Sequence, residues 1–196
     1  MLRRSLPLAA WTVVALVGCE AEPPPDVVAP EPLPAAPAEP PAPPEPPPPP
    51  ELKPDAEPRF GTLKIHPGFT PDPQTLSGDA GGPLEATVLA EACTGFVGEQ
   101  PGHVVEADGS FAELRFLARP EADDAVGLVV RDPAGEAHCV GAPEAGSSVE
   151  LAMPVHPGRH TIWVSARSAG LAPGYVLGVT ELADVTLDPR GDADRE

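Results

Sequence analysis

Positively charged residues are scarce in this chain of 196 residues, where 12 Lys and Arg stand against 30 Asp and Glu for a net charge of -18. A phosphate backbone repels such a chain and rewards cationic patches, so we predict no nucleic-acid binding. The same balance disfavours adsorption to an anionic membrane surface by charge alone. Cysteine is scarce too: three residues are too few for a disulfide-dense mini-protein, and their odd number requires an explanation.

The apolar run near the start of the chain is short. Residues 6–17 are uncharged and follow Arg3 and Arg4, and the run is too short to span a bilayer but suits the core of a signal peptide. It ends in Leu16-Val17-Gly18-Cys19, which resembles the lipobox of bacterial lipoproteins. The resemblance implies removal of residues 1–18 and a membrane anchor on the sulfur of Cys19, built from diacylglycerol and further acyl chains such as palmitate. Two alternatives stay open: a plain secretory signal with a chance Cys, and a short hydrophobic core segment.

The residue after Cys19 bears on the location of the protein. In many Gram-negative bacteria an Asp at this position favours retention in the inner membrane, and here the residue is Glu20. We therefore expect a cell-envelope protein in the outer membrane, facing the periplasm or the cell surface.

Residues 19–58 form a spacer rich in proline and glutamate. Residues 20–58 hold 18 of the 31 prolines, with nine acidic residues and one Lys. Proline removes backbone donors and fixes φ near the polyproline II value, which leaves neither helix nor sheet available. At ~3.1 Å per residue the segment would reach on the order of 120 Å if fully extended. We interpret it as a disordered tether, with a ligand for SH3-like or WW-like modules as the alternative.

Residues 59–183 are predicted to fold, and residues 184–196 to form an acidic, disordered tail. Short apolar or alternating runs bounded by Gly, Pro and Asp predict strands at 63–66, 84–90, 103–106, 111–117, 126–131, 136–140, 148–153, 161–166 and 175–182. No run has convincing helical spacing. Strands of this length and spacing predict an all-β domain, a single β-sandwich or jelly roll.

The cysteine count follows from this organisation. If Cys19 carries lipid, Cys93 and Cys139 remain, and an exported domain meets an oxidising compartment. We predict a disulfide between them, with two buried free thiols as the alternative. Cys139 lies on the second strand of a predicted hairpin, 126–140, whose turn is Asp132-Pro133-Ala134-Gly135.

Four segments resemble the pre-peptidase C-terminal domain, a β-sandwich appended to many secreted bacterial proteases. They are Cys93-Thr94-Gly95-Phe96, the run 128–135 with Cys139, the run 157–165 containing Pro157-Gly158 and Trp163, and the strand 175–181. Some members of that family bind calcium. Here Cys139 is followed by Val140-Gly141-Ala142-Pro143 instead of carboxylates, so we expect no cofactor and no calcium. Asp123 and Asp124 remain candidates for a weak cation site, and a solvated turn is the favoured interpretation.

Catalytic motifs are missing from the sequence. There is no Gly-x-Ser-x-Gly, His-Glu-x-x-His, P-loop or Gly-x-Gly-x-x-Gly pattern, and we predict no catalytic residue. His156 and His160 are four apart, but Pro157-Gly158 between them excludes a shared helical face, so both are expected at strand ends or on the surface. Trp163 is expected in the core, with a carbohydrate-stacking platform as the alternative.

These observations lead to one hypothesis and two alternatives. The favoured hypothesis is a lipid-anchored, non-catalytic β-sandwich on a polyproline stalk, acting as a binding or accessory module for an envelope protein or glycan. The first alternative is an envelope hydrolase whose dispersed carboxylates form an unrecognised site. The second is a purely structural envelope lipoprotein that needs no specific ligand.

Overall fold

Eleven short strands make up the β structure of the computed structural model, which describes residues 48–187. They are β1 (Gly61–Ile65), β2 (Gln74–Asp79), β3 (Leu84–Glu85), β4 (Phe96–Val97), β5 (His103–Ala107), β6 (Phe111–Pro120), β7 (Val126–Arg131), β8 (Ala137–Val140), β9 (Val149–Val155), β10 (Gly158–Ala166) and β11 (Gly174–Thr180). The one helical element among these residues is a 3₁₀ turn, Ala86–Val88. Nowhere in 48–187 is there a helix with the length and apolar character needed to cross a membrane.

The predictions for the two ends of the chain fall beyond the part that the structure describes. Residues 1–18, Cys19, the spacer up to residue 47 and the tail from residue 188 lie outside it.

The strands form two sheets. In the seven-stranded sheet β1 runs parallel to β5, and β10 pairs antiparallel with β5 on one side and β7 on the other. β8 continues this sheet beyond β7, and the short β3–β4 pair joins it at the end of β10. The second sheet has the order β2-β11-β6-β9, with every pair antiparallel. The predicted all-β sandwich is confirmed.

The main core lies between the two sheets and is built from every second residue of the central strands. Leu114 and Phe116 of β6 contribute from one sheet, and Leu128 of β7 and Ile162 of β10 from the other. All four side chains are fully buried. Burying each stabilises the fold by roughly 1.5–3 kcal/mol, which explains why alternating sequence predicts these strands well.

A second, smaller cluster covers the outer face of the seven-stranded sheet. Trp163 and Val129 point away from the main core and pack with Cys93, Val97 and Ala86. The segment 84–90 was predicted as one strand, and this prediction is wrong beyond residue 85. After two paired residues the chain enters a 3₁₀ turn at Ala86, and this turn buries Ala86 in the outer cluster with Trp163, which removes its apolar surface from water.

The residues just before β1 are attached to the sandwich. Leu52 packs against the outer cluster, and Lys53 pairs with Glu99 at 2.8 Å through its ammonium group. The guanidinium of Arg159 donates a 2.8 Å hydrogen bond to the carbonyl of Ala56. Residues 51–58, which we assigned to the spacer, therefore contact the folded part.

Arg115 fixes the other end of the described chain. It is almost fully buried and donates two hydrogen bonds of 2.7 Å to the carboxylate of Glu150 on β9. It also donates to the carbonyls of Leu182 and Val185, which lie on either side of the predicted domain end at 183. Its partnership with Glu150 raises the pKa of Arg115 and lowers the pKa of Glu150.

Candidate functional site

The β7–β8 hairpin lies at one edge of the seven-stranded sheet and carries Cys139 together with the polar side chains of Asp132, Glu136 and His138. Asp132 closes the turn: its backbone N–H donates to the Glu136 carbonyl at 2.9 Å, and its carbonyl accepts from Gly135 at 3.0 Å. Gly135 has a φ of 93°, a conformation that favours glycine. The Asp132 side chain accepts a further hydrogen bond from the Glu136 N–H at 2.8 Å through Oδ1. The predicted hairpin is confirmed.

Cys139 on β8 is bonded to Cys93, as predicted. The two Cα atoms are 5.4 Å apart, a separation usual for a disulfide. Both residues belong to the outer cluster beside Trp163, which is 1% exposed. Cys139 is therefore not a free thiolate nucleophile, and Trp163 is a core residue instead of a platform for sugars.

Three polar side chains of the hairpin lie close together, and we call them the hairpin trio: Asp132, Glu136 and His138. One ligand atom from each lies within 4.8 Å of the other two, and His138 Nε2 is 3.9 Å from Asp132 Oδ2. The sequence did not predict this group, because the pattern placed Asp132 in a turn and His138 in a strand. The available signal was the Asp-x-x-x-Glu-x-His spacing across a tight hairpin. The turn places the end of β7 beside the start of β8, so these three residues lie close together.

A fourth polar side chain lies next to the trio. His160 on β10 is fully buried; the Gly158 carbonyl lies near one ring nitrogen, and the other ring nitrogen has no hydrogen-bond partner. The β7–β10 register pairs Arg131 with Thr161, so His160 lies beside Asp132. Burial lowers the pKa of His160, although the Gly158 carbonyl and the Asp132 carboxylate oppose this effect. The expectation of a surface or strand-end position is wrong for His160, while His156 is exposed as expected.

Asp123 and Asp124 lie in the connection between β6 and β7. They border a hollow of about 120 Å³ that is also lined by Arg167. The carbonyl of Asp124 accepts a 2.7 Å hydrogen bond from the Gly146 N–H, as in an ordered turn. Across residues 48–187 no third His, Cys, Asp or Glu side chain joins the two aspartates in a metal-sized group, and the Arg167 cation at the same hollow opposes binding of another cation.

A shallow hollow of about 270 Å³ lies where β1 and β5 end. Its lining residues include Lys64, His66, Glu106 and Asp108. Lys64 pairs with Glu106 at 3.2 Å, and both side chains are well exposed. An exposed pair of this kind contributes little to stability, so these side chains are available to a partner at little cost.

Comparison with known proteins gives one solved structure to report. No family model matches the sequence. No curated protein matches it either. A similar solved structure is the pre-peptidase C-terminal domain of a collagenase from Bacillus anthracis, which is 13% identical, with a TM-score of 0.38 over 61% of this chain and 94% of that chain. That neighbour comes from the domain family whose motifs the sequence resembles, but a similarity of this size does not establish membership.

Proposed function

We propose that this chain is a lipid-anchored envelope protein whose β-sandwich serves as a non-catalytic binding or accessory module. The observation that carries the proposal is the order of segments: an apolar leader ending in Leu16-Val17-Gly18-Cys19, a proline-rich acidic spacer, and one sandwich. The segments are consistent with one another in this order, because an extended linker between a lipidated Cys and a folded domain would hold that domain away from the membrane.

The described contacts support a module held by its N-terminal side. The N-terminal segment, residues 51–60, contacts the sandwich through Leu52, Lys53 and Ala56. A tether that leads into a fixed segment holds the domain at a defined point, while the rest of its surface stays accessible.

The negative charge of the folded part restricts the kinds of partner that it would bind. From Arg59 onward 21 Asp and Glu stand against 9 Lys and Arg, a net charge of -12. A protein with a basic surface would therefore associate fastest, and a glycan would have to rely on uncharged contacts. Nucleic acid stays excluded by the same charge.

The anchor is tested by fractionation of cells that produce the full chain or its Cys19→Ala variant. We expect the wild-type chain in the detergent-soluble membrane fraction, with an acylated mature N-terminus at Cys19 by mass spectrometry. The variant is expected to retain its leader and to lack acylation. Recovery of the wild-type chain in the soluble cytoplasm would refute the anchor.

The binding role is tested by crosslinking in intact cells followed by mass spectrometry. A binding module predicts one dominant, stoichiometric partner, whereas a purely structural lipoprotein predicts none. A hydrolase activity on envelope peptides or glycans that one substitution in the domain abolishes would overturn the non-catalytic part of the proposal.

A further inference from the structure

The hairpin trio has the spacing of an open metal site. Its three ligand atoms lie within 4.8 Å of one another. Ligands bound to one ion at ~2.1 Å in tetrahedral geometry are ~3.4 Å apart, so the side chains need to close by at most about 1.4 Å. Glu136 is exposed and the His138 side chain is 32% exposed, so both are free to make this small movement.

The hydrogen bond of the turn prepares Asp132 for coordination. Its Oδ1 accepts from the Glu136 N–H at 2.8 Å, while Oδ2 faces His138. The carboxylate is therefore oriented by the backbone and presents one oxygen to an ion. Such fixing of a ligand by a neighbouring donor is a regular feature of metal sites.

The second observation is the buried imidazole of His160. A fully buried ring nitrogen without a hydrogen-bond partner is rare in proteins. Ile162 and Val130 both point into the main core, and His160 and Asp132 lie two residues further along the same face of their strands. His160 therefore lies on the core side of the trio but outside the group whose ligand atoms lie within 4.8 Å, so its ring would have to approach an ion bound there to give one of its nitrogens a partner.

The ligand types select the ion. Two carboxylates with imidazole nitrogen suit zinc and the neighbouring divalent transition metals, whereas calcium and magnesium take oxygen ligands.

We propose that Asp132, Glu136, His138 and His160 bind one divalent transition-metal ion of the zinc type. The ion would join β8, at the edge of the sheet, to β10 in its middle. This proposal is independent of the lipid anchor and of the binding role proposed above.

The test uses the full chain, purified in detergent, with any free thiol alkylated so that no cysteine binds metal. After treatment with a chelator the protein is titrated with Zn²⁺ by calorimetry, alongside Asp132→Asn and His138→Gln. Asp132→Asn keeps the Oδ1 acceptor of the turn, so it removes charge from the site without removing the turn. His66→Gln is the matched control, since His66 is an exposed histidine after β1.

We expect one Zn²⁺ per chain with a Kd in the micromolar range or below for the wild-type chain and His66→Gln. Each of the two site variants should weaken binding at least ~10-fold, the lower bound seen even for residues that only orient a ligand. Saturable binding that is unchanged in His138→Gln, or no 1:1 binding below about 1 mM, would overturn the proposal. Calcium bound in preference to zinc would overturn it as well.

X-ray absorption of the zinc complex counts its imidazole ligands directly and needs no substitution in the core. Two imidazoles are expected, from His138 and His160. A single imidazole would remove His160 from the site, and none would refute the proposal. Circular dichroism of the metal-free variants checks that the loss of binding does not come from unfolding.

Discussion

His103 is a buried histidine that should make the sandwich sensitive to acid. It is fully buried on β5, with its ring 5.7 Å from the rings of Phe60 and Tyr175, and neither nitrogen has a hydrogen-bond partner. Burial lowers its pKa to about 4. In the unfolded chain the ring returns to a pKa near 6.5, so the unfolded state binds the proton first as the pH falls.

The sign and size of the effect follow from this difference. The neutral ring favours the folded state, and that contribution is intact above about pH 6.5 and is lost as the pH falls towards 4. Within this window the free energy of unfolding should fall by about 1.4 kcal/mol per pH unit, or about 2 kcal/mol between pH 7 and pH 5. His160 has a lowered pKa for the same reason and adds to the loss in the same direction.

The assay is urea denaturation at several pH values from 7.5 to 4.5, with a chelator present, for the wild-type chain and His103→Phe. The substitution keeps an aromatic ring between Phe60 and Tyr175 but cannot take up a proton. The difference in unfolding free energy between the two proteins should change by about 2 kcal/mol between pH 7 and pH 5. Parallel pH profiles, or an NMR titration in which His103 shows a pKa near 6.5, would refute the reasoning.

Three further predictions concern stability at neutral pH. Replacing Cys139 by Ser removes the disulfide that links two residues 46 positions apart in the chain. The free energy of unfolding should fall by ~4 kcal/mol in the chain-entropy model, measured as a lower midpoint of urea denaturation. An unchanged midpoint would contradict this prediction. Arg115→Ala should cost about 2 kcal/mol and return the pKa of Glu150 towards its ordinary value, which NMR titration of that carboxyl can check. Gly81→Ala should destabilise the protein more than Gly170→Ala by roughly 2 kcal/mol. Both glycines have φ near 80°, but only a Cβ at Gly81 would clash with other atoms, since it would lie 2.5 Å from the Leu171 carbonyl oxygen. Equal melting temperatures of the two variants would refute this prediction.

The strands that the sequence predicts best are those whose own apolar residues are sufficient to place them in the core. Val126–Arg131, and Gly158–Ala166 from residue 161 onward, were found because their apolar residues fill the core, whichever strands lie beside them. Gln74–Asp79 was missed because its residues are at best half-buried, and it is held by backbone pairing to β11, about 100 residues away. The two-residue strand Phe96–Val97 is likewise defined only by its neighbours.

The candidate site shows the same division between local and tertiary information. The Asp132 turn and the Cys139 disulfide were predictable, the first from local turn chemistry and the second from counting cysteines. His160 was not, because its burial beside Asp132 depends on the pairing of β7 with β10, which are about 30 residues apart. A histidine two residues after Pro-Gly has no local feature that distinguishes a core position from a loop.

The attachment of residues 51–60 has a mechanical consequence. The backbone N–H groups of Lys53, Arg59 and Phe60 donate to the carbonyls of Glu99, Pro101 and Gly102, just ahead of β1. If a partner held the sandwich while the proposed anchor pulled on the chain, the force would reach these three hydrogen bonds before it reached the β1–β5 ladder. A limited load would release a few residues of extra length and leave the sheet folded.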